Sequence, residues 1–211
     1  MRIMIFVDRI KDRLLNIMKN KFFGKMYLGK RLSKTVWEQQ FTSGYWDYLY
    51  SDDEKGHYLT ICELYKRFKP GGKILDVGCG QGVLYYYMSE NVKSDVDYFG
   101  LDISLEAVKI AQQRFGSEKF MQLDFDRAKV KNKYDVIIFN ETLYYFEQPI
   151  QIIEQSIFLN LNSNGYFIVS MFDLHANTKI WEELYNNYKF LETRTVMNSK
   201  GQKWRVCIFM P

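Results

Sequence analysis

A short apolar run that stops on three closely spaced glycines constrains this chain more than any other feature. In Ile74-Leu75-Asp76-Val77-Gly78-Cys79-Gly80-Gln81-Gly82, a stretch of buried-strand length ends in glycines at alternate positions, and a helical pattern opens directly after them over 83–90. Glycine at these positions lets the backbone turn sharply and approach a ligand with no side chain in the way. Lys69-Pro70-Gly71-Gly72 punctuates the approach to the strand. A strand that breaks into a helix through glycines is the opening of a βα unit, the element of parallel sheets.

The same alternation continues along the chain. Strands are predicted at 98–102, 119–123, 134–140 and 165–171. Helices are predicted at 105–115, with Ser104 as its cap, at 149–159, with Pro149 in its first turn, and at 179–188. The runs 191–197 and 203–210 flank the turn signal Asn198-Ser199-Lys200-Gly201 and predict an antiparallel hairpin. Before the glycine run lie an aromatic-rich segment, 37–50, and a helix at 57–68. The expected fold is therefore α/β: a doubly wound, mostly parallel seven-stranded sheet with a C-terminal antiparallel hairpin and an N-terminal helical extension.

The glycine order is G-x-G-x-G. A dinucleotide fingerprint would need its third glycine at position 83, which is Val. The second strand ends in Asp102, twenty residues after Gly82, where a carboxylate can accept ribose hydroxyls. An adenosine without a pyrophosphate fits this pattern. The segment resembles the glycine-rich motif of class I S-adenosylmethionine-dependent methyltransferases, and the resemblance spans residues 37–171. Phe99-Gly100-Leu101-Asp102-Ile103-Ser104 resembles the ribose-binding strand end, Gln122-Leu123-Asp124-Phe125 the loop whose Asp meets the adenine amino group, and Tyr134-Asp135-Val136-Ile137-Ile138-Phe139-Asn140-Glu141 the fourth strand, which faces the methyl donor. The resemblance implies S-adenosyl-L-methionine as cofactor. It would be held by Asp76, Gly78, Cys79, Gly80, Gly82, Asp102, Ile103, Asp124, Phe125 and Asn140, with Asp76 anchoring the glycine loop and orienting the amino end of the methionine part. Trp46, from an aromatic cluster with Trp37, Phe41, Tyr45 and Tyr48, is expected to form part of a lid.

Methyl transfer from a sulfonium is an in-line displacement, so few catalytic groups are needed beyond those that align the acceptor and exclude water. Glu141, Tyr145 and His175 are the candidates to orient or deprotonate it. Tyr144 and Tyr145 stand where the family often carries Glu or His, which argues against a metal site. A short stretch there resembles small methyltransferases acting on a sugar amino group in lipo-oligosaccharide signals. The D/N-P-P-Y/F tetrapeptide of DNA methyltransferases is missing, since Asn140-Glu141-Thr142-Leu143 occupies its place, so no DNA partner is expected. The expected function is transfer to O or N of a small molecule or glycan. Two alternatives are an RNA or protein methyltransferase docking through its N-terminus, and an accessory protein that binds the cofactor without turnover.

Charge divides the chain. Residues 1–35 hold ten Lys/Arg and two Asp, a local net of +8 within an overall +4, which sets a basic extension (1–35) against a methyltransferase body (36–211). Ile3, Phe6, Val7, Ile10, Leu14, Ile17 and Met18 recur at helical spacing among these charges. That pattern suits peripheral contact of residues 1–20 with an anionic inner-membrane surface, or a lid, or a homodimer contact. Cys62, Cys79 and Cys207 are odd in number and scattered, which fits a reducing cytoplasm, and no signal peptide or spanning segment is read.

Overall fold

The computed structural model describes residues 31–92 and 95–211. The amphipathic reading of residues 3–18, and with it any membrane or dimer contact they make, lies outside them. The described chain opens with α1 (Lys34–Thr42), a 3-10 turn (Asp47–Tyr50) and α2 (Lys55–Phe68). The alternating body follows: β1 (Ile74–Val77), α3 (Val83–Asn91), β2 (Tyr98–Asp102), α4 (Leu105–Phe115), β3 (Phe120–Gln122), β4 (Tyr134–Asn140), α5 (Pro149–Leu159), β5 (Leu161–Phe172), α6 (Thr178–Asn187) and the hairpin β6 (Lys189–Met197) and β7 (Lys203–Met210).

The seven strands order as β3-β2-β1-β4-β5-β7-β6, parallel except for β7, which runs antiparallel to both neighbours. Strand order reverses between β1 and β4, so the crevice at their carboxyl ends is where such a sheet binds ligands. Period-two alternation splits the core in two. Ile74, Val136, Ile138, Ile168, Val206 and Ile208 face α2, α3 and α4 with Ile61, Leu64, Leu84 and Met88. Leu75, Val77, Ile137, Phe139, Phe167 and Phe209 face α5 and α6 with Ile152, Ile153, Trp181 and Leu184. Burying each such side chain contributes about 1.5–3 kcal/mol. Both faces being covered explains why the central strands read as continuous apolar runs.

The predicted caps form as read. Ser104 Oγ accepts from Ala107 N at 3.1 Å, and Pro149 sits in the first turn of α5. β5 begins at Leu161, earlier than the glycine at 165 suggests. Tyr134 pairs with Leu161 before the register shifts to Val136–Tyr166, so an irregularity carries the strand across a polar stretch. Among the described residues no helix is long and apolar enough to cross a membrane.

Gly71 and Gly78 both hold left-handed backbone, at φ +75° and +81°, but only Gly78 is crowded: a Cβ there would lie 2.2 Å from Thr142 Cγ2, while nothing lies within 4 Å at Gly71. Gly71→Ala is expected to cost about 1–2 kcal/mol from backbone alone. Gly78→Ala should cost clearly more. Equal losses in urea unfolding would show that the loop does not make this close approach.

Candidate active site

The floor of the site is the loop between β1 and α3. Gly78 N and Cys79 N both donate to Leu101 O, at 2.7 and 2.8 Å, which folds the loop back onto β2. Gly80 N donates to Asp102 Oδ2 and Ser104 N to Asp102 Oδ1, each at 2.8 Å. One carboxylate thus fixes the glycine loop and the start of α4. Burial lifts Asp102 to about 6, opposed by these same amide bonds.

Asp76 lies within β1 and is fully buried. Tyr98 Oη donates to its Oδ2, while Oδ1 has no hydrogen-bond partner. Burial raises its carboxyl to about 7, with the bond from Tyr98 pulling the other way. An orphaned buried acceptor costs about 1–3 kcal/mol, so this oxygen calls for a donor brought by a ligand.

These groups open on a cavity of about 820 Å³ at the sheet's switch point. Leu101, Ile103, Leu123 and Phe125 give it an apolar flank, and Asp124 and Asp126 stand at the rim. Arg31 bridges these two at 3.2 and 2.7 Å. The roof is α1 and the turn after it. Trp37 stacks with Trp46 at 5.9 Å, and Tyr45 meets Trp46 edge-on at 4.9 Å. The roof is tied down by polar contacts: Gln81 Nε2 donates to Trp46 O, and Glu38 accepts from Leu105 N, Glu106 N and Ser104 Oγ at 2.7–3.0 Å, covering the start of α4.

The far wall begins where β4 ends. Glu141 adopts φ +59°, the only non-glycine residue among those described with positive φ. Its carboxylate accepts from Tyr144 Oη at 3.0 Å, Phe172 N at 3.1 Å and Ser170 Oγ at 3.3 Å. Burial raises it to about 8; these bonds oppose the rise and the charge of Glu54 adds to it. Beneath it, the fully buried His57 faces Asn140 Oδ1 through Nδ1 at 3.0 Å and Glu54 Oε2 through Nε2 at 3.3 Å, with its ring stacked on Trp204.

Asp76, Gly78, Cys79, Gly80, Asp102, Ile103, Asp124, Phe125, Asn140, Glu141, Tyr145 and Trp46 all line this one cavity. Gly82 does not line it; its φ of +81° and the Phe115 ring, 3.0 Å from where a Cβ would sit, make it a helix-packing glycine. His175 lies on an exposed turn after β5 and does not line the cavity. Cys79 is buried, and burial pushes its thiol up, away from nucleophile behaviour. Among the described residues no group of His, Cys, Asp and Glu could hold a metal ion. Sequence reasoning did not find Glu38, Glu54, Gln202 or Trp204, and it left His57 outside the site. The wall residues among them are Glu54, directly before α2, and Gln202 and Trp204 of the β6–β7 hairpin, with no local motif to mark them.

A family described as Methyltransferase domain matches residues 68–207. Cyclopropane-fatty-acyl-phospholipid synthase of Escherichia coli K12 is 33% identical over 136 residues, 60% of this chain and 35% of that protein. Phosphoethanolamine N-methyltransferase of Triticum aestivum is 32% identical over 107 residues, 48% of this chain and 21% of that one. The chain thus spans about a fifth to a third of these relatives. Among solved structures, the N-methyltransferase NodS of Bradyrhizobium japonicum WM9, in complex with S-adenosyl-L-homocysteine, superposes with TM-score 0.64 at 16% identity, covering 82% of this chain and 97% of that one. Magnesium protoporphyrin IX methyltransferase of Synechocystis PCC 6803, with bound S-adenosylmethionine, gives 0.62 at 22% identity, covering 84% and 97%. The glycine cradle, the orphaned Asp76 oxygen and the Asp102 carboxylate fit that cofactor, and the chain belongs to the class I S-adenosylmethionine-dependent methyltransferase family.

Proposed function

We propose that the chain transfers a methyl group from S-adenosylmethionine to an oxygen or nitrogen of a small molecule, a glycan included. The observation that carries this reading is one continuous cavity whose near wall has an unsatisfied buried carboxylate oxygen beside a glycine cradle and whose far wall presents Glu141. The names of the relatives, a phosphoethanolamine N-methyltransferase and a malonyl-[acyl-carrier protein] O-methyltransferase among them, support a small or carrier-borne acceptor.

When bound, the cofactor supplies a methyl group already activated as a sulfonium. Asp76 Oδ1 would receive the ammonium of its methionine end, and Gly78 and Gly80 would admit it closely. Asp102 keeps lone pairs free for ribose hydroxyls, and Ile103, Leu123 and Phe125 would enclose the base. Trp37, Trp46 and Tyr48 roof the cavity and exclude water, which sharpens every electrostatic contact inside. Glu141 and Tyr145 face the acceptor. The charge of residues 1–35 supports peripheral contact of residues 1–20 with an anionic surface, which liposome association before and after deletion of 1–30 tests.

S-adenosylhomocysteine should bind in calorimetry, and Asp102→Ala should weaken it at least tenfold. Failure of the native chain to bind it would overturn this reading. Labelled-methyl transfer into a fractionated extract then identifies the acceptor. A second expectation concerns pH. Asp76, Asp102 and Glu141 have folded pKa values of about 7, 6 and 8, above those of exposed carboxyls, so the folded state holds these protons more tightly. Their contribution to stability is full below about pH 4 and is lost as pH rises through 6–8. The ligand-free protein should melt lower at pH 8.5 than at pH 5.5, and Asp76→Asn should shrink that difference. An unchanged difference would show that Asp76 does not titrate in this window.

A further inference from the structure

Glu141 terminates β4 in left-handed backbone, a conformation that costs a non-glycine residue about 1–2 kcal/mol and persists only where its surroundings enforce it. What enforces it here is the grip of Ser170, Phe172 and Tyr144 on the carboxylate, which keeps it on the cavity wall rather than turned to solvent. The same cavity is lined by aromatic rings. Trp37 meets Tyr145 edge-on at 4.9 Å, and Tyr48 lies 5.9 Å from Trp46. The two described cations on the wall are both engaged elsewhere, Arg31 with Asp124 and Asp126, and Lys200 with Asp53.

A carboxylate and π faces, with no free cation among the described residues of the cavity wall, select against an acceptor that is anionic at its reacting end. A neutral hydroxyl can donate to the carboxylate but brings no counter-charge to it and no cation to the ring faces. An ammonium satisfies the two together, through a charge-assisted hydrogen bond and cation–π attraction.

Resting on the methyltransferase reading above, we propose that the acceptor is an aliphatic amine, which enters as its ammonium between Glu141 and the rings of Trp37, Tyr48 and Tyr145. The amine nitrogen gives one proton to the Glu141 carboxylate and regains its lone pair. That pair forms the new nitrogen–carbon bond as the carbon–sulfur bond breaks, and the broken bond's electrons stay on sulfur as the neutral thioether. The product leaves as the N-methylammonium, Glu141 returns its proton to water, and each turnover releases one proton. Burial, which holds Glu141 near 8, brings its proton affinity closer to that of an amine and eases the first transfer.

The test uses the full chain saturated with S-adenosylhomocysteine at about pH 9, above the Glu141 value of about 8 and below that of an aliphatic ammonium, and compares n-butylamine with n-butanol as probes, read by tryptophan fluorescence and by calorimetry. Butylammonium should bind at least tenfold more tightly than butanol. Glu141→Gln should bring the amine to the level of the alcohol while S-adenosylhomocysteine affinity is retained, and Trp37→Leu should weaken the amine alone. Equal binding of the two probes by the native chain overturns the proposal, as does an amine affinity indifferent to Glu141→Gln. If Glu141→Gln no longer binds S-adenosylhomocysteine, the native comparison and Trp37→Leu decide. Failure of the native chain to bind S-adenosylhomocysteine would instead sink the methyltransferase reading, whereas labelled methyl on a hydroxyl acceptor sinks only the amine assignment.

Discussion

The Asp102 carboxylate, held by Gly80 N on one oxygen and Ser104 N on the other, is the contact on which the rest of the site depends. It joins the end of β2 to the loop that follows β1 and to the first turn of α4. Because β1 and β2 are parallel neighbours, with Val77 opposite Leu101, the two strand ends are level and the loop can fold across both. Burying this carboxylate is tolerable because fixed amides replace its water. The same logic fails by half at Asp76, one strand over, where Tyr98 satisfies one oxygen and the other waits for a ligand.

What the sequence made legible was everything that local pattern encodes. The β1 run with its glycines, the Ser104 cap, Pro149 in a first turn and the Asn198–Gly201 hairpin signal depend on residues within a few positions of one another, and each forms as its chemistry requires. Hidden from that reading were contacts made by distant residues. His57 and Asn140 are 83 positions apart, Arg31 and Asp124 are 93 apart, and Glu38 caps a helix that starts 67 residues later. No periodicity or spacing rule links such pairs; the sheet order does.

His175 shows the complementary difficulty. By sequence it is a candidate to orient or deprotonate the acceptor, and it follows β5 by three residues. The turn it occupies is held instead by Asn177, whose Nδ2 donates to Phe172 O and closes the chain into α6 away from the cavity. Position in the strand order sets which loops reach the crevice, but the first few residues after a strand decide which side chain faces it. At the end of β4, Glu141 holds that place through its left-handed backbone.

The roof rests on the body in a different way from the sheet. α1 buries only Phe41, and its firmest attachment is the Glu38 carboxylate set on the backbone amides of α4. That side chain is about a quarter exposed, so the attachment is electrostatic and open to dissolved ions. The sheet core is apolar and indifferent to such screening. The roof is thus held to the body by a handful of charged and polar contacts at its edge, and the sheet by apolar burial through its centre, so the two parts of one site rest on different forces.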